Sequence, residues 1–194
     1  MLFRSFYASV GNVAEWDSTV EAFKKVKEEH GPVDILVNNA GLTRDGLSMR
    51  MKDEDWHKVL DVNLTGAVMM VREVVAKMVE TGTKPGVIVN MSSISRHGNR
   101  GQSNYVAAKS ALAANTVTWS KEFAQYGIRV NCVAPGVIES SGFAHYAPEA
   151  RAKFSRGNPM LRHGSVQDIA NAVLYLTGPS GEFVNGELLN VDGG

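Results

Sequence analysis

Apolar runs of strand length recur along this chain, and stretches with helical spacing separate them. Val33-Asp-Ile-Leu-Val37, Gly86-Val-Ile-Val-Asn90 and Gly127-Ile-Arg-Val-Asn-Cys-Val-Ala134 are almost continuously apolar. Strands covered on both faces read this way. Between the runs, residues 15–29 carry Trp16, Val20, Phe23 and Val26 at helical spacing and stop at the breaker His30-Gly31-Pro32. Asp53-Glu-Asp55 opens a long helix with acids where the helix dipole favours them. That helix runs to about Glu80, with Trp56, Val59, Leu60, Leu64, Val68 and Val71 as its apolar stripe. Residues 105–123 are Ala-rich without Pro or Gly, which predicts another helix. Ser165 is placed to cap a helix over 166–176. Residues 5–10 predict a short strand, 87–91 and 186–191 two more, and 137–164 a long loop with some helix. The order β-α-β-α-β-α-β-α-β is that of an α/β fold. It predicts a doubly wound parallel sheet with helices on both faces, as a single domain over 1–194.

Lysines plus arginines balance aspartates plus glutamates at 20 each, so no basic surface points to nucleic acid. Cys132 is the single cysteine and stands in an apolar run, so it reads as a small buried thiol rather than half of an intramolecular disulfide. This suits a reducing, cytoplasmic setting. No apolar run reaches the roughly 18 residues of a membrane span. The start, Met1-Leu-Phe-Arg-Ser-Phe-Tyr7, is interrupted by Arg4 and does not read as a signal peptide. Nothing in the sequence suggests a metal site.

The chemistry concentrates in one stretch. Asn90-Met-Ser92-Ser93-Ile-Ser95 leaves a strand, and Tyr105-Val-Ala-Ala-Lys109 opens the next helix. Tyr105 and Lys109 are four apart and share a helix face. Free tyrosine titrates near pH 10 and is a poor acid at neutral pH. A cation within about 4–6 Å can lower that by roughly 1–3 units. Such a phenol can pass a proton to a carbonyl oxygen, with a serine hydroxyl bonding the same oxygen as charge develops. Tyr and Lys four apart are common on helices, so the pair gains meaning only beside the serine-bearing strand. In an open parallel sheet ligands bind at the carboxyl ends of strands. Asn12, Asn39-Ala-Gly41, Ser92-Ser93 and Pro135-Gly136 all fall there.

These motifs in order, Asn38-Asn-Ala-Gly41, Asn63 in Asp61-Val-Asn-Leu-Thr-Gly66, the serines after Asn90, Tyr105-x-x-x-Lys109, Pro135-Gly136 and a closing Val-Asp-Gly-Gly, resemble those of the short-chain dehydrogenase/reductases. Within that family the chain looks like the 3-oxoacyl-(acyl-carrier-protein) reductase and acetoacetyl-CoA reductase group, from about residue 10 to the end. The resemblance implies a Rossmann-type sheet and NAD(P)H-dependent reduction of a 3-oxoacyl thioester, with NADP expected and NAD the alternative. The carrier would be CoA or an acyl carrier protein, and the assembly a homotetramer or homodimer using helices 53–80 and 105–123. Tyr105 would be the general acid. Lys109 would lower its pKa and hold the nicotinamide ribose. Asn63 would anchor a proton relay or, on the plainer reading, bond its own helix backbone. Asn39, Ala40 and Gly41 would line the adenosine side, Asn12 and Val13 the adenine. Pro135, Gly136, Ile138 and Ser140 would border the carboxamide.

The serine is ambiguous. The family's interval back from Tyr105 lands on Ser92, and its register forward from Asn90 lands on Ser93. One residue flips the face of a strand, so we take Ser93 first, Ser92 second and Ser95 last. The segment 139–163 would form a substrate lid, with Phe143, His145, Tyr146, Phe154 and Met160 as lid packing. Lys84 and Arg100 read as rim cations, more readily solvated than docked to an acidic carrier.

The family opens with a strand and a Gly-rich turn that holds the cofactor phosphates, and no such turn occurs in this sequence. The expectation is a domain truncated at the N-terminus, lacking the first two β-α units, that binds dinucleotide weakly and is poorly stable alone. Other readings are a short-chain dehydrogenase for a steroid, sugar or polyol, a non-catalytic relative, or a methyltransferase-like α/β domain that would not need Tyr105 and Lys109.

Overall fold

A computed structural model of the chain describes residues 7–140, 149 and 156–194. Helix α1 (Trp16–His30) leads into strand β1 (Ile35–Asn38). Helix α2 (Asp53–Leu60), a π-helical turn (Asp61–Thr65) and α3 (Gly66–Thr81) follow as one continuous rod. Then come β2 (Gly86–Met91), α4 (Ser103–Phe123) and β3 (Ile128–Pro135). The two-residue strands β4 (Ile138–Glu139) and β5 (Gly164–Ser165) pair in parallel, and α5 (Val166–Thr177) and β6 (Leu188–Val191) complete the described fold.

The main sheet is parallel, in the order β1-β2-β3-β6. The register aligns Leu36, Ile88 and Val130 across three strands. All three point to one face, where Phe23 of α1 and Val71, Val74, Val75 and Met78 of α3 bury them. Val87, Val89 and Val133 point to the other face, under Ala172 and Leu176 of α5. This alternation is what a pleated strand with both faces covered requires. Cover is unequal, however: Ile35 and Val37 of the edge strand stay 47% and 39% exposed.

Local signals explain the ends of the elements. Ser165 and Asp168 form a capping box at the head of α5, as its sequence predicts. Helix α1 stops at Gly31, whose φ of +88° suits glycine. The predicted strand at 5–10 does not form over residues 7–10, where Val10 is fully exposed. A strand forms only against a neighbouring strand, and these residues meet none among the described residues. The predicted single helix over 53–80 carries a π-helical interruption that periodicity cannot register. The β4–β5 ladder brackets the predicted lid segment 139–163. Phe143, His145, Tyr146 and Phe154 lie outside the described residues, and Met160 is exposed.

Candidate active site

The carboxyl end of β2 carries two serines with opposite duties. Ser92 is 4% exposed and its hydroxyl donates to the Lys109 carbonyl at 2.8 Å, tying the strand end to α4. Ser93, one step on, has extended backbone and turns its side chain to the other side. Its hydroxyl accepts from the Ser95 amide at 3.1 Å and lies on the side of the Tyr105 phenol, whose acidity it favours. The strand register therefore sends the two hydroxyls to different partners, Ser92 to the Lys109 carbonyl and Ser93 to the Ser95 amide.

Burial pushes the Tyr105 phenol above its ordinary value. The Ser93 hydroxyl opposes that rise, and the Asp45 carboxylate adds to it. The expected lowering by Lys109 is not what the structure displays. The Lys109 ammonium stands 5.6 Å from the Tyr105 ring centroid and donates to the Met91 carbonyl at 2.7 Å. Burial brings Lys109 itself down to about 8, with the neighbouring Cys132 thiol acting weakly the other way. A lysine that is 4% exposed pays a desolvation penalty for its charge. It is aimed at a carbonyl rather than at the phenol oxygen, so it is a poor lever on the phenol.

Asn63 sits in the π-helical turn, 1% exposed. Its amide donates to the Leu42 carbonyl at 2.7 Å and its oxygen accepts from the Leu42 amide at 2.8 Å. It bonds the strand-end loop, not its own helix backbone, which overturns the plainer reading of this residue. Gly41 closes the cluster: a Cβ there would come within 3.0 Å of Asn63 Oδ1 and 3.5 Å of Lys109 Nζ. Ser93, Tyr105, Lys109, Asn63 and Gly41 are thus one constellation.

The remaining predicted residues divide into two groups. Asn39, Pro135 and Ile138 line one apolar groove of about 710 Å³ between β1 and α5, with Met91, Val166 and Val173. Gly136 abuts Asp192, where a Cβ would meet the Asp192 Cα at 2.7 Å. Ala40 is exposed on the strand-end loop, and Ser140 is exposed just beyond β4. Asn12 and Val13 belong to the head of α1. The Asn12 side chain accepts from the Ala14 amide and donates to Glu15, so its polar atoms are engaged locally rather than presented to an adenine. The Val13 carbonyl packs where a Cβ on Gly66 would clash, at 2.5 Å. Lys84 precedes β2 at the amino end of the sheet, opposite the site, so it is not a rim residue. Arg100 is exposed on the site side.

Two features escaped sequence reasoning. A polar chain runs from Asn38 to Asn90 to Thr116 at 2.9 Å per step, locking the strand ends to α4. Residues 44–48 are also strapped to the head of α4. The buried Asn104 beside Tyr105, which donates to the Arg44 carbonyl at 2.9 Å, was the available signal.

The donor set fits the ribose of a nicotinamide nucleotide. Lys109 offers two further N–H groups beside the Met91 bond. The glycine at 41 lets a ligand approach those groups closely.

Comparison with known proteins agrees with this geometry. A family profile described as enoyl-(acyl carrier protein) reductase matches residues 4–194. A 3-oxoacyl-(acyl-carrier-protein) reductase of Thermotoga maritima is 41% identical over 184 residues, covering 94% of this chain and 74% of that protein. The chain belongs to the short-chain dehydrogenase/reductase family. A second 3-oxoacyl-(acyl-carrier-protein) reductase, from Staphylococcus epidermidis, is 39% identical over 189 residues, 97% of this chain and 77% of its own length. A crystal structure described as a candidate gluconate dehydrogenase from Agrobacterium tumefaciens superposes with a TM-score of 0.89 at 32% identity, covering 94% of this chain and 73% of that one. Membership makes this short-chain dehydrogenase/reductase an NAD(P)-dependent oxidoreductase. Among the described residues, no helix is long and apolar enough to cross a membrane.

Proposed function

We propose that this short-chain dehydrogenase/reductase reduces a 3-oxoacyl thioester to its 3-hydroxyacyl form, with Tyr105 as general acid. The observation that carries the substrate class is the 41% and 39% identity to two 3-oxoacyl-(acyl-carrier-protein) reductases over nearly the whole chain. The site chemistry is compatible with it. In this reading the substrate carbonyl oxygen sits between the Ser93 hydroxyl and the Tyr105 phenol, and the hydroxyl already acts on the phenol. The bound nicotinamide supplies the hydride, and NADPH is the form we assign. Tyr105 gives its proton to the oxygen as negative charge develops there, and Ser93 stabilises the same charge through its hydrogen bond. A phenol held up by burial is protonated at neutral pH, which suits donation more than abstraction. Lys109 holds the ribose hydroxyls and the head of α4, and Asn63 and Gly41 shape the space between Lys109 and the strand-end loop. A CoA or carrier-protein thioester as partner, a cytoplasmic setting and a homo-oligomer are parts of the same proposal.

The structural likeness to a candidate gluconate dehydrogenase favours a polyol or sugar acid as the second reading. NADPH oxidation with acetoacetyl-CoA, run beside NAD(P)-dependent gluconate oxidation, separates the two. The assays use this chain and the same chain extended upstream by a Gly-rich phosphate turn. Turnover of acetoacetyl-CoA, with gluconate slower by about 10²-fold or more, supports the thioester reading. The opposite preference replaces it with the polyol reading. Absence of both activities in a folded, extended chain rejects the catalytic proposal.

A further inference from the structure

The turn that leaves β2 is fastened on three sides by one residue. Ser93 caps the 3₁₀ turn Ile94–His97, its hydroxyl accepting from the Ser95 amide at 3.1 Å. That bond uses a lone pair and leaves the hydroxyl proton free to donate elsewhere. Arg96 grips the Ser93 carbonyl twice, with its main-chain amide at 3.1 Å and its guanidinium at 3.2 Å. Another arm of the same guanidinium donates to the Asn190 side-chain oxygen on β6, at 2.9 Å. The Arg96 carbonyl in turn accepts from the Ser110 hydroxyl at 2.8 Å, on the helix that carries Tyr105. Arg96 is half-buried, and among the described residues it forms no ion pair. Its donors go to neutral oxygens, so its planar fork is in use rather than its charge. No reaction step described above uses it.

We propose that Arg96 is a positioning residue of this site: by clamping the Ser93 carbonyl to β6 and to α4, it fixes where the Ser93 hydroxyl stands relative to the helix that bears Tyr105. This rests on the reading of Ser93 as the group that bonds the reacting oxygen. Tyr105 is placed by a regular helix, whereas Ser93 stands at a strand end entering a short turn. Such a position needs fastening, because a misplacement of about 1 Å can cost about 10²-fold in rate. The chain is held on both sides of the Ser93 side chain. Before it, the Ser92 hydroxyl is bonded to the Lys109 carbonyl of α4. After it, Arg96 holds the Ser93 carbonyl, and Ser110 ties Arg96 to the same helix. Ser93 and Tyr105 therefore share one frame. Because the Ser92 bond remains when Arg96 is removed, the loss expected is partial.

The test is amide hydrogen exchange of the full chain, read residue by residue by NMR. It reports on the turn directly, whether or not a thioester is turned over. Arg96→Met is expected to quicken exchange at Ser95, whose amide is bonded to the Ser93 hydroxyl, by about 10-fold, and to leave Ile88 and Val89 of β2 at the parent rate. Arg96→Lys keeps the charge but loses the fork, so it should behave like Arg96→Met. Asn190→Ala removes only the exposed anchor and should quicken Ser95 by about 3-fold, which decides the matter even if the Arg96 variants fold poorly. Unchanged exchange at Ser95 overturns the proposal, as does an equal rise throughout β2, which would make Arg96 a stability residue alone. Parent behaviour in Arg96→Lys overturns it too, since charge would then suffice. In the extended chain, Arg96→Met should lower kcat by about 10-fold with KM for acetoacetyl-CoA held within about twofold, and should add less than about twofold in a Ser93→Ala background. An equal loss in both backgrounds means that Arg96 does not act through Ser93 and rejects the proposal. If Ser93→Ala alone costs nothing, the reading of Ser93 fails while the exchange result still assigns the clamp.

Discussion

The two faces of the sheet are built to different standards. On one face α1, α3 and α4 cover Leu36, Ile88 and Val130, and burial is nearly complete out to the edge strand. On the other face α5 lies over β2 and β3, and Ile35 and Val37 of β1 remain partly bare beside an apolar groove. The candidate catalytic groups belong to the closed face. Tyr105 and Lys109 ride on α4, and Asn63 sits in the turn between α2 and α3. Asn39, expected on the adenosine side of the cofactor, and Pro135 and Ile138, expected to border the nicotinamide, line the groove on the open face. Reacting groups need fixed geometry, which close packing provides. A large ligand needs an accessible apolar wall, and the open face supplies one.

That contrast can be broken or sharpened by mutation. The largest effect should come from the closed face. Ile88→Ala empties a fully buried site and should cost about 2–5 kcal/mol in denaturant unfolding. Asn63→Ala comes next. It removes both bonds that hold the Leu42 main chain, and a loss of about 1–3 kcal/mol is expected, together with impaired reduction.

Lys109 gives a test of sign. Its folded pKa of about 8 lies below the ordinary 10.5, so the folded chain sheds that proton earlier than the unfolded chain. Its contribution to stability therefore rises as the pH climbs from about 8 toward 10.5. Lys109→Met should lose that rise, and it should be at least as stable as the parent at pH 7 although it loses reduction.

Asp168, at the head of α5 on the open face, has the same sign in an acid window. Arg162 and the Ser165 cap hold it at about 2, below the ordinary 3.8. The stability it adds to the head of α5 is complete above about pH 4 and disappears as the pH falls through 2. Asp168→Asn should flatten that acid limb in circular dichroism. The smallest effect belongs to Val37→Thr on the bare edge. A change within about 0.5 kcal/mol is expected, and a cost near that of Ile88→Ala would mean that the two faces are equally closed.

The strands and most of the helices on both faces were legible in the sequence because their code is local. Near-continuous apolar strands and amphipathic spacing placed β1, β2, β3, α1, α4 and α5 to within a residue or two. Ser165 announced its own helix. What was not legible depends on partners distant in the chain. Residues 7–10 have strand composition but pair with no strand among the described residues, so they stay irregular and exposed. The π-helical turn carries Asn63, whose partner Leu42 is 21 residues away. The site was half legible: spacing brought Tyr105 and Lys109 to one face, and strand register separated Ser93 from Ser92. The direction of the Tyr105 shift was not, because it is decided by burial and by Asp45 rather than by the lysine one turn away.

The central claim is that Tyr105, not a neighbour, delivers the proton. The most direct test is the rate of NADPH oxidation with acetoacetyl-CoA by the extended chain and by its Tyr105→Phe variant, at equal folded concentration. The account predicts a loss of about 10²–10⁴-fold with the fold intact by circular dichroism. A Tyr105→Phe variant that keeps the parent's rate would contradict it and transfer the proton to another group.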